Sequence, residues 1–508
     1  MEVSRIWLAL LGLATALAAR TIYRLYFHPL RHIPGPKLAA ITHLYEFYFD
    51  IWSSGRFLFQ IEKLHRQYGP IVRITPREIH ISDPDFYEEI YAPSSRRREK
   101  DPKFVPALSV RESMISTINH EHHRFRRNIL NSFFSKRSVN DLTPMIEERT
   151  LKLINRFEDF HKSNGIVQLD DAFAALTADI ITYYCYGKLW GFLEDEKFRS
   201  DIRLLASEIS GLCHINRFFP FIDQLIRLTP PWLMRLLAPG KSSLFDFQKS
   251  IVDEAAQAVP DGGTGKGING GRTIYAKLLD PSLPVKERSK RRLEEESLIV
   301  LGAGTETTSW TLTIAAYYLA RNPEILRQLR TELKQVLPTA KSTCTLQELE
   351  QLRYLTAVIN EALRVATPIM TRMPRVAPDE TLAYKNYVIP PGTPMSSSSY
   401  LIHRNATIFP NPEQFDPDRW IRTQGKAVTG ERLDRYLTPF GKGSRGCLGI
   451  NLAYAELYIA LAYFIRRVDF ELHDTEPRDI AIARDFIVGY TETGEPRVYA
   501  KVTRMLRD

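Results

Sequence analysis

Apolar residues recur along most of the chain with the spacing of amphipathic helices. This period is clear over residues 140–160, 244–258, 293–320, 323–336 and 346–365, where a stripe of apolar positions three or four residues apart would face a core. Shorter pieces near the front, such as PIVRITPREIHIS, alternate apolar and polar residues as half-buried strands do. The pattern predicts a mainly α fold with small β-sheets.

The first 27 residues form the most apolar segment of the chain. An uninterrupted apolar run covers residues 6–19 and continues to residue 27 with interruptions at Arg20 and Arg24. The run is shorter than the roughly 20 residues that span a bilayer, but arginine side chains near its end can reach the headgroups. Basic residues after the run favour a retained membrane anchor at 1–27 with the rest of the chain in the cytosol. The small residues of ATALAA leave a cleaved signal peptide as the alternative.

Prolines follow this segment in FHPLRHIPGPK, and they prevent helix continuation and favour extended backbone. Residues 28–40 are therefore predicted to be a hinge, and residues 41–508 one catalytic domain. A second apolar stretch, at 215–239, is also broken by prolines. Either a buried helix pair or a surface that dips into a membrane fits that stretch. The glycine-rich stretch 260–271 is predicted to be a surface loop.

Composition and charge narrow the class of protein. The chain has 508 residues, 44% of them hydrophobic, and a formal net charge of +9. Its basic residues are scattered rather than gathered into stripes with aromatic residues between them, so no nucleic-acid partner is expected. A basic face that docks an acidic protein or anionic lipid is compatible with this charge. The four cysteines contain no CxxC pair, so neither a disulfide framework nor a zinc finger is expected.

One cysteine has unusual surroundings, in the stretch LTPFGKGSRGCLGINLAYAEL. Cys447 lies among glycines and comes just before an apolar helical pattern. Unpaired N–H groups at a helix N-terminus lower the pKa of a nearby thiol and favour the thiolate. The glycines allow the backbone to fold tightly and a flat partner to come close, and Arg445 can pair with an anionic group on that partner. A buried structural cysteine on a glycine-rich loop is the plainer alternative.

The string FGKGSRGCLG resembles the cysteine-ligand loop of the cytochrome P-450 family, the haem-thiolate monooxygenases. Every fixed position of that loop is matched, by Phe440, Gly443, Arg445, Cys447 and Gly449. The resemblance implies the cytochrome P-450 fold with an N-terminal membrane-anchor helix. It also implies haem b as the cofactor, Cys447 as the thiolate ligand of its iron, and Phe440, Gly443 and Arg445 as haem-binding residues.

The stretch LGAGTETTSW resembles the oxygen-binding helix of the same family. It lies within a long apolar helical pattern, where Glu306 and Thr307 would be costly unless paired or used. By resemblance, Ala303 and Gly304 leave space over the haem, and Glu306 and Thr307 are catalytic residues that relay protons. The alternative is structural, because a helical threonine commonly donates its hydroxyl to a carbonyl of the preceding turn.

Other motifs extend the resemblance to the haem propionates. HEHHRFRRNILNSFFS resembles the helix whose tryptophan and arginine, four residues apart, bind propionates. Here Arg127 stands at the arginine position and His123 where tryptophan is usual, with Arg126 as an adjacent alternative. Arg375 in TRMPR matches an arginine that also reaches a propionate, a task that suits its planar fork.

A third set of residues resembles the family's structural Glu-Arg-Arg cluster. Glu361 and Arg364 lie three apart in NEALRV, on one face of a helix, and Arg419 in FDPDRW is the third member. The resemblance implies that this cluster holds the surroundings of the cysteine loop and takes no part in catalysis.

The resemblance covers nearly the whole chain, and FHPLRHIPGPKLA and HRFRRNILNSFFSKRSV resemble filamentous-fungal secondary-metabolism members of the trichodiene-oxygenase type. It implies a monooxygenase of the endoplasmic reticulum membrane that hydroxylates or epoxidises an apolar terpenoid or polyketide intermediate. Molecular oxygen and electrons from NADPH, delivered by NADPH-cytochrome P-450 reductase, would drive the reaction. A haem-thiolate isomerase or dehydratase and a non-catalytic haem-binding protein are the alternatives. The substrate-facing candidates by resemblance are residues 104–119, 218–237, Ala303, Thr308, 368–373 and 486–490.

Overall fold

The computed structural model describes residues 2–198, 201–237 and 273–506. The helix predicted at 244–258 and the loop predicted at 260–271 lie outside these ranges. Helices form most of the described chain, as the hydrophobic period predicts. The α-helices are Glu2–Ile22, Lys37–Ile41, Leu44–Phe47, Phe57–Tyr68, Tyr87–Ile90, His120–Asn131, Lys136–Ser163, Leu169–Tyr186, Asp201–Gly211, Cys213–Phe218, Phe221–Leu228, Pro231–Leu237, Ile274–Leu278, Lys290–Arg321, Pro323–Leu333, Leu346–Glu350, Arg353–Ala366, Ser399–His403, Leu433–Tyr436 and Ile450–Arg467.

Small sheets lie beside the helices. A five-stranded sheet has the order Ile71–Arg73, Ile79–Ile81, Pro394–Ser396, Arg375–Val376, Glu99–Lys100. Neighbouring strands in this sheet are antiparallel, except that the second and third strands run parallel to each other. A three-stranded antiparallel sheet has the order Ile166–Gln168, Tyr499–Met505, Val468–Leu472. Two further strand pairs are Leu382–Tyr384 with Tyr387–Ile389, and Arg484–Phe486 with Val488–Tyr490.

The largest hydrophobic core surrounds the helix Lys290–Arg321, called the central helix below, which packs against Leu169–Tyr186 and Ile450–Arg467. The sequence predicts this helix at 293–320, and the structure confirms it with three more residues at its start. At Gly304 a Cβ atom would lie 2.8 Å from Ile181 Cγ1, so the missing side chain allows the close approach of Leu169–Tyr186.

The prediction of one continuous helix at 346–365 is wrong, because the structure has two helices there, Leu346–Glu350 and Arg353–Ala366. Leu346–Glu350 begins with a capping box, in which Thr345 and Glu348 satisfy each other's backbone N–H groups. The longer helix Arg353–Ala366 then starts afresh, because the carboxylate of Glu332 accepts the first N–H groups of that helix at 2.8 Å each. A non-local side chain therefore decides where the second helix begins.

The apolar N-terminal segment is helical, and the stretch from Arg5 to Phe27 is long and apolar enough to cross a membrane, with none of it buried in the protein. The predicted hinge at 28–40 packs against the catalytic body. Leu30 and Ile33 are buried, and the Arg73 N–H donates to the Pro34 carbonyl at 2.7 Å. The proline-rich segment thus continues into the body through hydrogen-bonded contacts.

The second apolar stretch forms the helices Cys213–Phe218, Phe221–Leu228 and Pro231–Leu237. A buried helix pair was one of two expectations for it, and that one is wrong. Phe221 is 63% exposed, Leu228 72% and Trp232 66%. The rings of Phe218 and Phe47 contact each other edge to face at 5.1 Å, which joins this exposed apolar surface to the N-terminal part of the body.

Candidate active site

A cavity of about 460 Å³ lies between the central helix, the helix Leu169–Tyr186 and residues 440–449, called the cysteine loop below. It gathers side chains that are far apart in the sequence. Of the predicted site residues, only Gly443 is not part of its lining. The others that line it are His123, Arg127, Glu306, Thr307, Arg375, Phe440, Arg445 and Cys447.

Gly443 instead shapes the backbone of the cysteine loop. Its φ is +71°, and a Cβ atom there would lie 2.2 Å from the carbonyl oxygens of both Tyr91 and Ala92. The next N–H, that of Ser444, donates to the Ala92 carbonyl at 3.0 Å, and the Cys447 N–H donates to the Phe440 carbonyl at 2.8 Å. Only glycine fits this position, because both the conformation and the close approach exclude a side chain.

The thiol of Cys447 is reached from the cavity and is otherwise surrounded by protein. Burial raises its pKa above the ordinary value, while the Gly449 N–H and the positive charge of Arg127 act in the opposite direction. The N–H group of Gly449 at the start of the helix thus lowers the pKa as the sequence predicts, but the lost hydration of a thiolate outweighs this contribution. Binding to a metal cation deprotonates a thiol regardless of that balance.

The cationic or basic side chains that line the cavity near the cysteine include Lys100, His123, Arg127, Arg375 and Arg445. Burial and the neighbouring Arg375 lower the pKa of Arg445 to about 9. Burial and the same group of charges lower the pKa of His123 to about 2, so this imidazole is neutral. The pKa of Lys100 is also well below its usual value, from burial first and then from Arg375 and Arg445.

Backbone contacts hold these side chains in place. Lys100 and Arg375 are direct partners on antiparallel strands, and Arg375 lies over the ring of Tyr91 at 5.2 Å. Arg127 donates to the Gly446 carbonyl at 2.7 Å, and Arg445 donates to the Ile118 carbonyl at 2.7 Å. The rest of their positive charge faces the cavity.

The alternative Arg126 is excluded from this group, because it turns toward Glu287 and donates to that carboxylate at 2.8 Å. Across residues 2–198, 201–237 and 273–506, none of Lys100, Arg127, Arg375 and Arg445 forms an ion pair. Uncompensated buried cations are costly. A flat molecule with two carboxylates, one side of which meets a thiol, would offset that cost, and this is the chemistry of haem with its two propionates. The residues therefore fit the cofactor.

Glu306 and Thr307 line the cavity from the central helix. Burial raises the pKa of Glu306 to about 7, with Arg203 lowering it and Glu495 raising it. Its Oε1 atom has no hydrogen-bond partner among the described residues. The Thr307 hydroxyl donates to the Ala303 carbonyl at 2.9 Å, which is the contact of the structural alternative. The arrangement holds a titratable acid and a hydroxyl side by side in one cavity.

Most of the substrate-facing candidates line the cavity, and one does not. Parts of 104–119, 368–373 and 486–490 contribute apolar side chains, and Ala303 and Thr308 also line it. None of the residues in 218–237 whose side chains the structure describes lines the cavity, so those parts of that candidate are wrong. The helix Asp201–Gly211 contributes lining residues instead. Among the lining residues that sequence reasoning missed are Lys100, Ile181, Arg203, Ala206, Ser207, Ile209, Ser210, Glu296 and Glu456.

Lys100 could not be recognised from its surroundings in the sequence. It is the last residue of the charged run RRREK, which is typical of a solvated surface. In the structure Lys100 is 6% exposed, because the strand pairing with Arg375 turns it inward. Glu456 could have been noticed in the sequence, because it is a charged residue within an apolar helical pattern. In the structure its carboxyl forms a hydrogen bond with Thr308.

The Glu-Arg-Arg cluster is present as the resemblance implies. Glu361 is fully buried and accepts from Arg364 at 2.8 Å and from Arg419 at 3.1 Å. Arg364 also donates to the His403 carbonyl at 2.9 Å, and the His403 ring accepts the Thr438 N–H at 2.9 Å. Because Thr438 leads into the cysteine loop, the cluster supports that loop through His403.

The described geometry defines a class of protein, one in which a thiol and a group of cationic side chains line the same cavity of a helical fold. The sequence profile of the cytochrome P450 family matches residues 35–492, and the chain belongs to that family. It is a monooxygenase of the haem-thiolate class, and members draw electrons from a redox partner. Among its relatives, conidiogenone synthase PchP450 of Penicillium rubens is 42% identical over 94% of this chain and 95% of the relative.

Two further relatives are cytochrome P450 monooxygenases. TRI4 of Fusarium sporotrichioides is 41% identical over 92% of this chain and 89% of its own length. The enzyme aflU of Aspergillus parasiticus is 39% identical over 99% of both chains. These relatives support the monooxygenase interpretation and give no support to an isomerase, a dehydratase or a non-catalytic haem protein.

Proposed function

We propose that this chain is a haem b monooxygenase with Cys447 as the axial thiolate ligand. The observation that carries the proposal is the grouping of Lys100, Arg127, Arg375 and Arg445 beside that thiol in one cavity. Two of them would pair bidentately with the propionates, since the guanidinium fork matches a carboxylate. His123, neutral in these surroundings, would offer a hydrogen bond rather than a charge.

When bound, the haem supplies the oxygen-activating chemistry. The chain supplies position and protons. Glu306, with a pKa of about 7, holds a proton at neutral pH and can release it. Thr307 can relay that proton once its hydroxyl rotates away from the Ala303 carbonyl, to which it donates at 2.9 Å. The apolar walls exclude water from the reacting centre.

The proposed substrate is an apolar terpenoid or polyketide intermediate of fungal secondary metabolism, which is hydroxylated or epoxidised. The apolar side chains of Leu108, Val110, Ile369 and Val488 in the lining support this class, as do the relatives. The proposed electron donor is NADPH-cytochrome P450 reductase. The proposed location is the endoplasmic reticulum membrane with residues 1–27 as the anchor, 28–40 as the connection and 41–508 as the cytosolic catalytic domain.

The test uses the carbon monoxide complex of the reduced protein. Wild type is expected to show the strongly red-shifted Soret band of thiolate ligation, and Cys447→Ala is expected to lose it. Cys344→Ala is the matched control, because Cys344 is half-buried and lies outside the cavity lining. A Cys447→Ala protein that keeps the red-shifted band would overturn the ligand assignment. NADPH consumption with the reductase and a terpene substrate, followed by mass spectrometry of the product, tests the monooxygenase reaction itself.

A further inference from the structure

The cavity wall includes residues 109–119, called the wall segment below, which has no regular helix or strand. Val110, Met114 and Ile115 of this segment line the cavity. A segment of this kind usually owes its position to side chains elsewhere, because its own backbone groups lack regular partners.

Two carboxylates of the central helix bind the backbone of the wall segment from inside. Glu295 Oε2 accepts the N–H of Glu112 at 2.6 Å, and Glu296 Oε2 accepts the N–H of Met114 at 2.8 Å. Each carboxylate is 1% exposed. Hydrogen bonds from N–H groups to a buried charged acceptor are stronger than neutral ones.

Each carboxylate is itself held by an arginine one turn earlier on the helix. Glu295 Oε1 accepts from Arg291 Nε at 2.9 Å, and Glu296 pairs with Arg292. The arginines fix the orientation of the carboxylates and offset the cost of burying their charge.

The carbonyl side of the wall segment is held as well. Arg126 donates to the Glu112 carbonyl at 2.8 Å and to the Thr117 hydroxyl at 2.9 Å, while its Nε donates to Glu287. Arg445 of the cysteine loop donates to the Ile118 carbonyl at 2.7 Å. The segment is thus attached both to the central helix and to the cysteine loop.

We propose that Glu295 and Glu296 are positioning residues that determine which substrates the cavity accepts. They act through the wall segment, because fixing the amides of Glu112 and Met114 fixes where Met114 and Ile115 meet the ligand. Glu296 also lines the cavity itself, whereas Glu295 does not, so Glu295→Gln is the variant that isolates the effect of the attachment. The use of this cavity for substrate rests on the proposed function, whereas the attachment itself does not.

The wall segment is also held on its outer side, by hydrogen bonds to residues 216 and 220. Arg111 donates to the Pro220 carbonyl at 2.6 Å, and Asn216 donates to the Ser109 hydroxyl at 2.9 Å. Both contacts lie on the side of the exposed apolar helices. Weakening the inner attachment therefore leaves the segment tied to its neighbours but free to change the shape of the cavity wall.

The experiment compares Glu295→Gln and Glu296→Gln with Glu294→Gln in the haem-loaded enzyme. Glu294 lies on the same helix, is 30% exposed and pairs with Lys290. Glu295→Gln is the variant expected to fold without difficulty, because Arg291 is 53% exposed and water can solvate it. Hydrogen exchange at the amides of Glu112 and Met114 is measured first, since a change there reports the attachment directly.

Exchange at Glu112 in Glu295→Gln, and at Met114 in Glu296→Gln, is expected to rise about tenfold, as a charged acceptor becomes a neutral one. The ratio of Kd values for 1-benzylimidazole and imidazole, which differ in bulk, is expected to change at least about threefold in the same variants. Glu294→Gln should leave both quantities unchanged. Unchanged exchange, or an unchanged Kd ratio alongside faster exchange, would overturn the proposal. Neither result depends on turnover, so failure of the monooxygenase assignment is recognised separately by the carbon monoxide band.

Discussion

Replacing Gly443 by alanine tests how the cysteine loop is built. The added methyl group would lie 2.2 Å from the carbonyl oxygens of Tyr91 and Ala92. An ordinary contact needs about 3.4 Å, so those oxygens would have to move by about 1 Å. That movement would stretch the Ser444 N–H contact to Ala92, now 3.0 Å, beyond the length of a hydrogen bond.

The expected cost follows from three contributions. A non-glycine residue at φ +71° costs about 1 kcal/mol, and the lost hydrogen bond about 1 kcal/mol. Overpacking against fixed backbone adds about 1–3 kcal/mol. The sum, about 3–5 kcal/mol, is a large fraction of the stability of a typical protein. Gly443→Ala is therefore expected to lower both the urea midpoint and the haem content of the purified enzyme.

Gly441→Ala is the matched control for this experiment. Gly441 also has a positive φ, of +61°, but the nearest atom to its Cβ position is Gly446 Cα at 4.0 Å. Its expected cost is the conformational part alone, about 1 kcal/mol. Urea unfolding and the haem-to-protein ratio are measured for both variants. Equal losses in the two variants would show that the backbone contact with residues 91–92 does not matter, and the reasoning would be refuted.

Three other changes have expected outcomes. Thr307→Ala should keep haem and NADPH consumption but divert NADPH to hydrogen peroxide, and unchanged coupling of NADPH to product would favour the structural contact with Ala303. Burial raises the pKa of Glu306 to about 7, so the folded protein favours the protonated carboxyl. The stability gained by protonating Glu306 is fully present below its ordinary pKa and is lost as pH rises through about 7. The stability of wild type relative to Glu306→Gln should therefore fall between pH 5 and 8 in urea unfolding, and a flat difference would contradict it. Glu361→Ala should cost about 3–5 kcal/mol of unfolding free energy, whereas Glu158→Ala, which breaks an exposed pair with Lys162, should cost less than about 1 kcal/mol; similar losses would deny the cluster its supporting role.

The sequence predicted those parts of the molecule in which local pattern and three-dimensional role coincide. The central helix is an example, because its length and period identify it before any neighbour is known. The cysteine loop is another, because the residues that shape it lie within ten positions of each other. The break near residues 351–352 is different in kind, since Glu332, distant in sequence, supplies the carboxylate that starts the next helix.

The apolar stretch at 215–239 shows a second limit. A run of large apolar residues is normally buried, and nothing in its period distinguishes an exposed surface from a core. Phe221 and Trp232 are nevertheless 63% and 66% exposed. The deciding fact is how much protein covers these helices, which depends on the whole tertiary arrangement.

The cation group shows why the site itself needed the structure. Strand pairing brings Lys100 to Arg375, a helix brings Arg127 to Gly446, and the cysteine loop brings Arg445 to the same cavity. Burial first, and then the neighbouring charge of Arg375, lower the pKa of Arg445 to about 9. Folding therefore brings together cationic side chains that repel one another. A cofactor with two negative charges would attract these side chains and so offset the cost of their repulsion. Because only the folded chain assembles the group, binding of such a cofactor adds directly to the free energy of folding.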